Sequence, residues 1–475
     1  MQTRSSTLVV LLAGSIVACS NGDTPLQTTV STPPAASIKG ALTAKPEAAD
    51  ITATAAGAHG VGRKLMIIGN MTDEVVGNVT DDAIFIDRIA ADVGGPKQMH
   101  VLVVAGASAG PAWLYSYFQQ VMPTRGIPAD HIALAHIASI DDSSTPDVDE
   151  STWTRGAYLP SEVAKVAAAN VIWFDGGVQT RLVALLLDSN GKDSPFQAAI
   201  KAKLAANNLI IAGYSAGAAI MSDPMIASGT SWGALTMPLD PTCESDDQLC
   251  VARGLGYLPQ SYSVLVDQHF TQRGRFARSI RAMAATAKHN VWGISEFSGF
   301  YVDLAQKQAE VVGVPGKAFV TIMGRDGSTQ NHEQLGPPFL GDSYTMSILA
   351  VGDTYALPDP SHPHGVGAHP TASEYYAPFS AYYSDNPILT DALGYQALVN
   401  DVAVYFADGT PQASGARVDS IAFLASESGS ATGFLFRFTA DANSTVAWNE
   451  DVGYSIFNAR LKIATMSGQF VGLGP

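Results

Sequence analysis

The pattern of hydrophobic and polar positions changes near residue 61. From there to about residue 325, short unbroken apolar runs alternate with longer stretches in which apolar residues recur every three or four positions. Unbroken runs predict strands buried on both faces, and the periodic stretches predict amphipathic helices. The predicted strands are 65–69, 101–105, 131–137, 170–174, 209–213, 264–266 and 290–294, and the predicted helices are 83–93, 113–122, 161–169, 182–188 and one ending near 288. The alternation predicts an α/β fold with a mainly parallel sheet between helices.

Beyond residue 326 the composition shifts towards Gly, Pro, His and Asp. Apolar stretches at 402–406 and 433–438 indicate strands. We therefore predict one folded unit over 61–325 and a C-terminal extension over 326–475 that contains strands. The histidines between 362 and 369 lie among prolines and glycines, which favour an irregular loop over a metal site.

The first 60 residues lack the strand and helix pattern. Residues 1–18 carry Arg4 ahead of a short apolar centre, which predicts a secretion signal too short to span a membrane. Residues 16–19 resemble the lipobox of bacterial lipoproteins, so lipid on Cys19 would tether the mature chain to the outer membrane or cell surface. Ordinary secretion is the alternative. Residues 20–60 are rich in Ala, Thr, Pro and Ser, which predicts a disordered linker.

The chain has three cysteines. If Cys19 carries lipid, Cys243 and Cys250 remain, and two nearby cysteines in an exported protein favour a disulfide over a metal site. The loop between them is short, so we expect the bridge to fix local shape more than global stability.

Composition and charge narrow the classes of partner. The 475 residues, 47% hydrophobic and 15% charged, suffice for the core of a globular enzyme. A net charge of −16 argues against nucleic acid or an anionic membrane surface as partner, and favours neutral or cationic ligands.

Two Gly-x-Ser-x-Gly turns follow predicted strands, one around Ser108 and one around Ser215. Each would place a serine hydroxyl on a sharp strand-to-helix corner. Spacing does not choose between them, because a nucleophilic serine needs a base and a group that orients the base. The amide of Ala216 and one from the glycine pair ending at Gly177 could hold an oxyanion, although paired glycines also form ordinary turns.

Candidate partners for a serine follow the later predicted strands. His269 comes just after the run 264–266, where a general base is expected. Arg273 or Arg275 could bind a substrate carboxylate, or could belong to a solvated basic helix start. Glu296 closes the strand at 290–294 and could orient His269 or be a surface acid.

Four motifs occur in order along the unit over 61–325. They are Phe174-x-Gly-Gly-x-Gln179, Gly213-x-Ser-Ala-Gly-Ala-x-x-Met221-Ser-Asp-Pro-Met225, Asp267-Gln-His-Phe-x-Gln-Arg-Gly-Arg275 and Gly293-Ile-x-Glu296. Together they resemble the motifs of the cyanophycinases, serine peptidases in the same superfamily as the aspartyl dipeptidases called peptidase E.

The resemblance implies that 61–325 is a catalytic unit in which Ser215 is the nucleophile, His269 its base and Glu296 the third member of a triad. It also matches four positions to the family's substrate site, with the role of the third uncertain: Gln179, Arg181, Asp267 and Arg273.

The order serine, histidine, acid differs from that of the α/β-hydrolases, which is serine, acid, histidine. It favours the flavodoxin-like sandwich related to class I glutamine amidotransferases. The family's glycine-rich first loop is reduced here to residues 69–72, and the segment from Cys243 to Cys250 is an insertion.

The resemblance implies hydrolysis of cyanophycin, a polyaspartate carrying arginine on its β-carboxylates, to β-aspartyl-arginine. It requires no metal, nucleotide or other cofactor. An aspartyl dipeptidase of the same superfamily is one alternative, and a catalytically silent surface lipoprotein that binds a polymer is another. The sequence does not distinguish a monomer from a homodimer.

Overall fold

The structure is a computed structural model that describes most of the chain from residue 61 onward. The described residues are 61–71, 75–76, 79–325, 333–368, 374–376, 388–390, 392–393, 396, 398–399, 417–425, 430–441, 443–449 and 453–469. The predictions for the signal peptide, Cys19, the linker and the strand at 402–406 lie outside these residues.

Helices occur at or close to each predicted position, and the structure adds two, at Pro195–Ala205 and Ser231–Thr236, besides the short helix Ala216–Ala219 after the Ser215 corner. The α-helices are α1 Asp81–Asp92, α2 Pro111–Thr124, α3 Pro160–Ala168, α4 Gln179–Leu186, α5 Pro195–Ala205, α6 Ala216–Ala219, α7 Ser231–Thr236 and α8 Phe276–Thr286. Short 3-10 helices occur at Pro96–Gln98, Ala129–His131, Glu150–Tyr158 and Gln260–Tyr262.

The strands up to residue 325 include all those predicted, and others follow. They are β1 Gly62–Ile68, β2 Val75–Val76, β3 Val79–Thr80, β4 Val101–Val104, β5 Ile132–Leu134, β6 Val171–Phe174, β7 Asn208–Tyr214, β8 Met225–Ser228, β9 Cys250–Ala252, β10 Val264–Gln268, β11 Asn290–Ile294, β12 Ser298–Asp303, β13 Gln308–Gly313 and β14 Phe319–Arg325. Beyond these come β15 Gly341–Ala350, β16 Thr354–Ala356, β17 Val366–Ala368, β18 Glu374–Tyr376, β19 Ile388–Thr390, β20 Arg417–Ala425, β21 Ser430–Thr439, β22 Thr445–Asn449 and β23 Gly453–Gln469.

The first of two large sheets carries most of the predicted parallel strands. Its order is β17-β16-β13-β12-β1-β7-β6-β4-β5. Strands β1, β7, β6, β4 and β5 run parallel, whereas β12, β13, β16 and β17 extend the sheet in antiparallel fashion. Strands β4 and β6 are buried along their whole length, as unbroken apolar runs require.

The second sheet has the order β10-β11-β14-β15-β23-β21-β20-β19, with β22 bridging β18 and β23. Only β10 with β11 and β19 with β20 pair in parallel within its described strands. Strands β14 and β15 pair antiparallel on either side of the boundary predicted near residue 325. The C-terminal strands therefore continue the same sheet that contains β10 and β11.

Three apolar clusters hold these layers together. One lies between the first sheet and the helices α1 and α2. A second covers the opposite face of that sheet with α4 and α5, and includes Val264 and Val266 of β10. A third includes Leu265 of β10, residues of α8 and Phe436 from the C-terminal region. Alternate residues of β10 thus face different clusters, which packs the second sheet between the first sheet and α8.

The α/β class, the parallel strands with helices and the C-terminal strands are confirmed. One feature differs from the single, mainly parallel sheet that was predicted, because β10 and β11 belong to the second sheet. Periodicity predicts strands but carries no information on which strands pair. Among the described residues, no helix combines the length and apolar character needed to cross a bilayer.

Candidate active site

The serine turn after β7 is the first part of the site. Ser215 has φ 50° and ψ −109°, a conformation that non-glycine residues seldom adopt. Its amide donates to the carbonyl of Ile68 at 3.1 Å, which ties the turn to the neighbouring strand β1. Gly213 and Gly217 lie so close to each other that a Cβ on Gly213 would overlap the Gly217 carbonyl. The sequence therefore produces a tight, strained corner that holds the hydroxyl in place.

The imidazole that faces this serine comes from the second sheet. His269 directly follows β10, and its Nε2 lies 2.8 Å from Ser215 Oγ. The residue also has a positive φ, 47°, and only 4% of its surface is exposed. The next amide, that of Phe270, donates to the Ile294 carbonyl at 3.1 Å and fixes the turn to β11.

Glu296 completes the arrangement from the segment after β11. Its Oε1 lies 2.6 Å from His269 Nδ1. An ionised carboxylate can only accept, so the proton of the neutral imidazole is on Nδ1 and the lone pair of Nε2 faces Ser215. A hydroxyl, an imidazole and a carboxylate in this order can pass a proton away from the serine.

The three side chains meet across two sheets instead of over neighbouring strands of one sheet. Ser215 belongs to the first sheet, and the other two residues follow strands of the second. The chain crosses from β11 in the second sheet to β12 in the first between residues 295 and 297, so Glu296 lies at the crossing. The triad geometry therefore depends on how the two sheets are held together.

Gly69, at the end of β1, is one point where the two sheets touch. Its amide donates to the carbonyl of Ser298 on β12 at 3.0 Å, within the first sheet. A Cβ atom on Gly69 would overlap the carbonyl oxygens of Ile294 and Ser295, which belong to the backbone just before Glu296. The glycine is thus required by close backbone approach, which was not apparent from the reduced loop in the sequence.

We expect Gly69→Ala to impair both activity and stability. The added methyl group can be accommodated only if the 294–295 backbone moves, which displaces Glu296 from His269. Overpacking of this kind costs about 1–3 kcal/mol or more, and a displacement of about 1 Å at a catalytic group reduces rate about 100-fold. Steady-state kinetics and thermal unfolding measure the two effects. Gly336→Ala is the size-matched control for added bulk, since a Cβ on this exposed glycine meets no atom within 4 Å and its φ lies outside the left-handed region. Unchanged kinetics in Gly69→Ala would contradict the role of this contact.

Burial and neighbouring charges set the protonation of the imidazole. The pKa of His269 is lowered to about 4, mainly by burial. The hydrogen bond with Glu296 acts in the opposite direction, and the positive charges of Arg273 and Arg275 lower the pKa further. Burial acts to raise the pKa of Glu296. The hydrogen bond with His269, the charge that His269 carries when protonated, and the charge of Arg273 outweigh burial, so the pKa falls below its usual value. At neutral pH the free site therefore holds a neutral base beside an ionised carboxylate.

The pH dependence of activity should reflect this lowered pKa. Protonated His269 cannot accept the serine proton, so activity is lost as pH falls through the pKa of the folded protein, about 4, and not through the ordinary value near 6.5. We expect kcat/KM to stay constant from neutral pH to about one unit above that pKa and to decline below it. Arg273→Gln should move this limb to higher pH, because it removes a positive charge that disfavours protonation. A wild-type limb centred near pH 6.5 would contradict the interpretation.

The glycine pair 176–177 lies beside the turn that carries Ser215. The carbonyl of Asp175 accepts the amide of Gly217 at 2.8 Å, and Gly176 packs against the ring of Tyr214. Gly177 has φ 133° and approaches the Ala107 carbonyl closely. The loop that carries Gly177 and the turn that carries Ala216 are therefore adjacent, which is the placement an oxyanion hole requires.

Two of the predicted substrate residues hold backbone near the site. Gln179 Nε2 donates to the carbonyl of Ala227 at 2.6 Å and to that of Ile226 at 3.2 Å, on β8. Arg181 donates to the carbonyls of Ala107 and Ser108 at 2.8 and 3.1 Å. The structure gives both side chains a role in shaping the walls of the site.

Asp267 departs from its predicted place in the substrate site. It is 1% exposed and accepts two hydrogen bonds from the guanidinium of Arg278 and one from Ser279 at 2.6 Å. Burial acts to raise its pKa, but Arg278 and Arg275 outweigh burial and the pKa is lowered. Asp267 matches the family's motif position, but its carboxylate is bound in a buried ion pair and is not accessible to a substrate.

Arg273 and Arg275 differ in exposure, which sequence spacing alone did not reveal. Arg275 donates to the carbonyl of Gln268 at 2.6 Å and is half-buried. Arg273 is exposed, and its guanidinium makes no hydrogen bond or ion pair with any described residue. Its charge acts on both His269 and Glu296. Arg273 is therefore the cation available to a substrate carboxylate.

The second Gly-x-Ser-x-Gly turn, around Ser108, contacts the carboxylate of Asp175. The amides of Ala107 and Ser108 donate to the Asp175 carboxylate at 3.1 and 2.6 Å, and Ser108 Oγ accepts the Gly110 amide at 2.9 Å. Burial raises the pKa of Asp175 to about 8 despite these amides. The hydroxyl of Ser108 has no imidazole partner among the described residues, so the structure favours Ser215 as nucleophile.

Other features of the site were missed or left open by the sequence. Thr271, Gln272 and Ser295 are buried between His269 and Glu296, and no motif rule singles out such polar residues. The predicted Cys243–Cys250 disulfide is present. His364 of the histidine-rich loop lies 2.8 Å from Asn290 Oδ1. Within the described ranges, no three His, Cys, Asp or Glu side chains are grouped to hold a metal.

No protein-family model matches the chain. Individual curated proteins are similar to it in sequence. The chain is 27% identical to the cyanophycinase of Trichormus variabilis over 296 residues, which is 62% of this chain and 85% of that protein. It is 33% identical to the cyanophycinase of Geminocystis herdmanii over 195 residues, 40% of this chain and 63% of that protein. A solved peptidase from an acI-B1 Actinobacterium aligns with 55% of this chain and 90% of its own, at a TM-score of 0.37 and 16% identity.

The α/β frame and the site define the class of protein, a hydrolase of the serine peptidase type. The curated relatives confirm the resemblance drawn from the four motifs. The chain is a peptidase that is similar to the cyanophycinases.

Proposed function

We propose that this chain is an exported serine exopeptidase that hydrolyses cyanophycin to β-Asp-Arg dipeptides through Ser215, His269 and Glu296. The observation that carries the proposal is the continuous contact from Ser215 Oγ to His269 Nε2, 2.8 Å, and from His269 Nδ1 to Glu296, 2.6 Å. The relatives that carry the name cyanophycinase supply the substrate class. A net charge of −16 suits a polymer that bears arginine.

The proposed reaction has two steps, acylation of Ser215 and hydrolysis of the acyl-enzyme. His269 Nε2 takes the hydroxyl proton while Ser215 Oγ attacks a backbone carbonyl of the substrate, and the amides near Gly177 and Ala216 hold the resulting oxyanion. The C–N bond then breaks, the leaving amine takes the proton from His269, and an acyl-serine ester remains. His269 then takes a proton from water as the water oxygen attacks the ester, the bond between Ser215 Oγ and the acyl carbon breaks, and the imidazolium returns the proton to Oγ, which leaves the acid product and the free serine.

The exposed Arg273 supports cleavage at a chain end. A guanidinium beside the triad can bind the terminal carboxylate of the substrate and place the next peptide bond over Ser215. We expect Arg273→Gln to raise KM more than it lowers kcat, because the carboxylate contact is the same in the ground state and in the transition state.

Purified protein and insoluble cyanophycin test the function directly. We expect release of β-Asp-Arg, read by mass spectrometry, and labelling of Ser215 by a serine-directed phosphonate. Turnover of Asp-X dipeptides with cyanophycin left intact would instead indicate an aspartyl dipeptidase. Absence of both turnover and labelling would favour a silent polymer-binding protein and overturn the proposal.

Export is supported by the signal-like residues 1–18, the lipobox-like stretch before Cys19 and the Cys243–Cys250 disulfide. Disulfides persist mainly in oxidising compartments outside the cytosol. Cell fractionation compares wild type with Cys19→Ala. We expect the wild type in the membrane fraction and the variant in the soluble fraction, and equal fractionation of both would contradict a lipid tether.

A further inference from the structure

A group of buried polar residues joins the turn after β10 to the turn after β11. Thr271 is 2% exposed, Gln272 7% and Ser295 0%. The hydroxyls of Thr271 and Ser295 lie 2.9 Å apart, and Thr271 Oγ1 lies 3.2 Å from Gln272 Oε1. Buried polar side chains are costly unless they are hydrogen-bonded, so this group is held in one arrangement.

Gln272 carries the contact closest to the triad. Its Oε1 accepts the backbone amide of Glu296 at 2.9 Å. Its Nε2 is buried and has no hydrogen-bond partner among the described residues. The side chain is therefore oriented by the hydrogen bonds that its Oε1 accepts. The amide of Glu296 is therefore fixed by a residue three positions after His269.

The C-terminal region supports the same group from outside. The amide of Gln396 donates to the Thr271 carbonyl at 2.7 Å. Leu393 packs so tightly against Gly274 that a Cβ on this glycine would overlap the Leu393 backbone. The region beyond residue 325, to which the sequence assigned no chemistry, thus contacts the turn that follows the catalytic imidazole.

We propose that Thr271, Gln272 and Ser295 form a clamp that positions Glu296 against His269. The clamp spans the two turns that follow β10 and β11, and it bonds the backbone of Glu296 directly while leaving the carboxylate free for the imidazole. These are positioning residues, since none of them lies within hydrogen-bonding distance of Ser215. The proposal rests on the proposed triad chemistry.

Near-isosteric variants test the clamp. Gln272→Met removes the acceptor and Thr271→Val removes the hydroxyl, at nearly constant volume. We expect each to lower kcat on cyanophycin about 10- to 100-fold, as small misplacements of catalytic groups do, with KM changed less than about threefold. Thr271→Ser, which keeps the hydroxyl, should retain nearly full kcat. Gln306→Met, at an exposed turn between β12 and β13, is the matched control.

A spectroscopic measurement keeps the test independent of substrate. The proton shared by His269 Nδ1 and Glu296 should give a far-downfield proton NMR signal in the wild type, assigned by its loss in His269→Ala. We expect Gln272→Met to shift or broaden that signal while circular dichroism and thermal unfolding show a folded protein. An unchanged signal and unchanged kcat in a folded Gln272→Met would overturn the clamp. A wild type that leaves cyanophycin intact would overturn the proposed function but leave the NMR comparison decisive for the clamp.

Discussion

Ser215→Ala is expected to reduce kcat on cyanophycin by about 10⁴- to 10⁶-fold, as loss of the nucleophile does in other serine triads. The hydroxyl is the atom that would form the covalent intermediate, and it lies 2.8 Å from its base. Alanine removes the oxygen and little else, so binding of the polymer should be retained. Single-turnover assays and zones of clearing on cyanophycin plates measure the loss, and co-sedimentation with the insoluble polymer measures the binding.

The chain supplies a matched control in its other Gly-x-Ser-x-Gly turn. Ser108→Ala removes the same atom from the same motif, at a site where Asp175 and Arg181 hold the surrounding backbone. We expect its kcat to stay within about threefold of wild type. If Ser108→Ala abolished turnover and Ser215→Ala did not, the assignment of the nucleophile would be reversed.

Glu296→Gln is expected to reduce kcat by about 10⁴-fold, the loss seen when the carboxylate of a serine triad becomes an amide. The carboxylate accepts the Nδ1 proton of His269 and stabilises the imidazolium that forms during attack. A glutamine amide that presents its NH₂ group instead favours the tautomer with the proton on Nε2, which then cannot accept from Ser215. Steady-state kinetics measure the loss, and phosphonate labelling should slow in parallel.

Glu310→Gln is the control for removal of a carboxylate. Glu310 lies on β13 and accepts a hydrogen bond from Arg88 at 2.5 Å, and it is part of a partly exposed ion pair. Exposed pairs contribute little to stability, about 0–1 kcal/mol, so activity and unfolding should both be close to wild type. Equal losses in Glu296→Gln and Glu310→Gln would mean that charge in general, and not the contact to His269, matters for turnover.

The structure also changes how the region beyond residue 325 is understood. Phe436 of β21 packs edge-on against Phe276 at the start of α8, with ring centroids 4.9 Å apart. Strand β15 extends the sheet that contains β10 and β11. This region therefore buries apolar surface of the layer from which His269 and Glu296 project, so its integrity and that of the triad are physically linked.

Local sequence determined the helices and strands and named the candidate reactive side chains. Unbroken apolar runs predicted β4, β6 and β7, because a strand covered on both faces must be apolar along its length. The glycines at 213 and 217 predicted a tight corner at Ser215, because only glycine allows backbone to pass so closely. The positions of His269 and Glu296 just after predicted strands indicated a base and a group that orients it.

Tertiary structure decided everything that depends on which distant segments meet. It brings His269 to Ser215 and not to Ser108, although both turns follow the same rule, and this contact supports Ser215 as the proposed nucleophile. It buried Asp267 against Arg278 and left Arg273 exposed, although both residues belong to one motif. It divided the strands between two sheets that touch at Gly69. Hydrophobic periodicity specifies which face of a segment is buried, whereas pairing and convergence follow from packing between segments far apart in the chain, which no local pattern records.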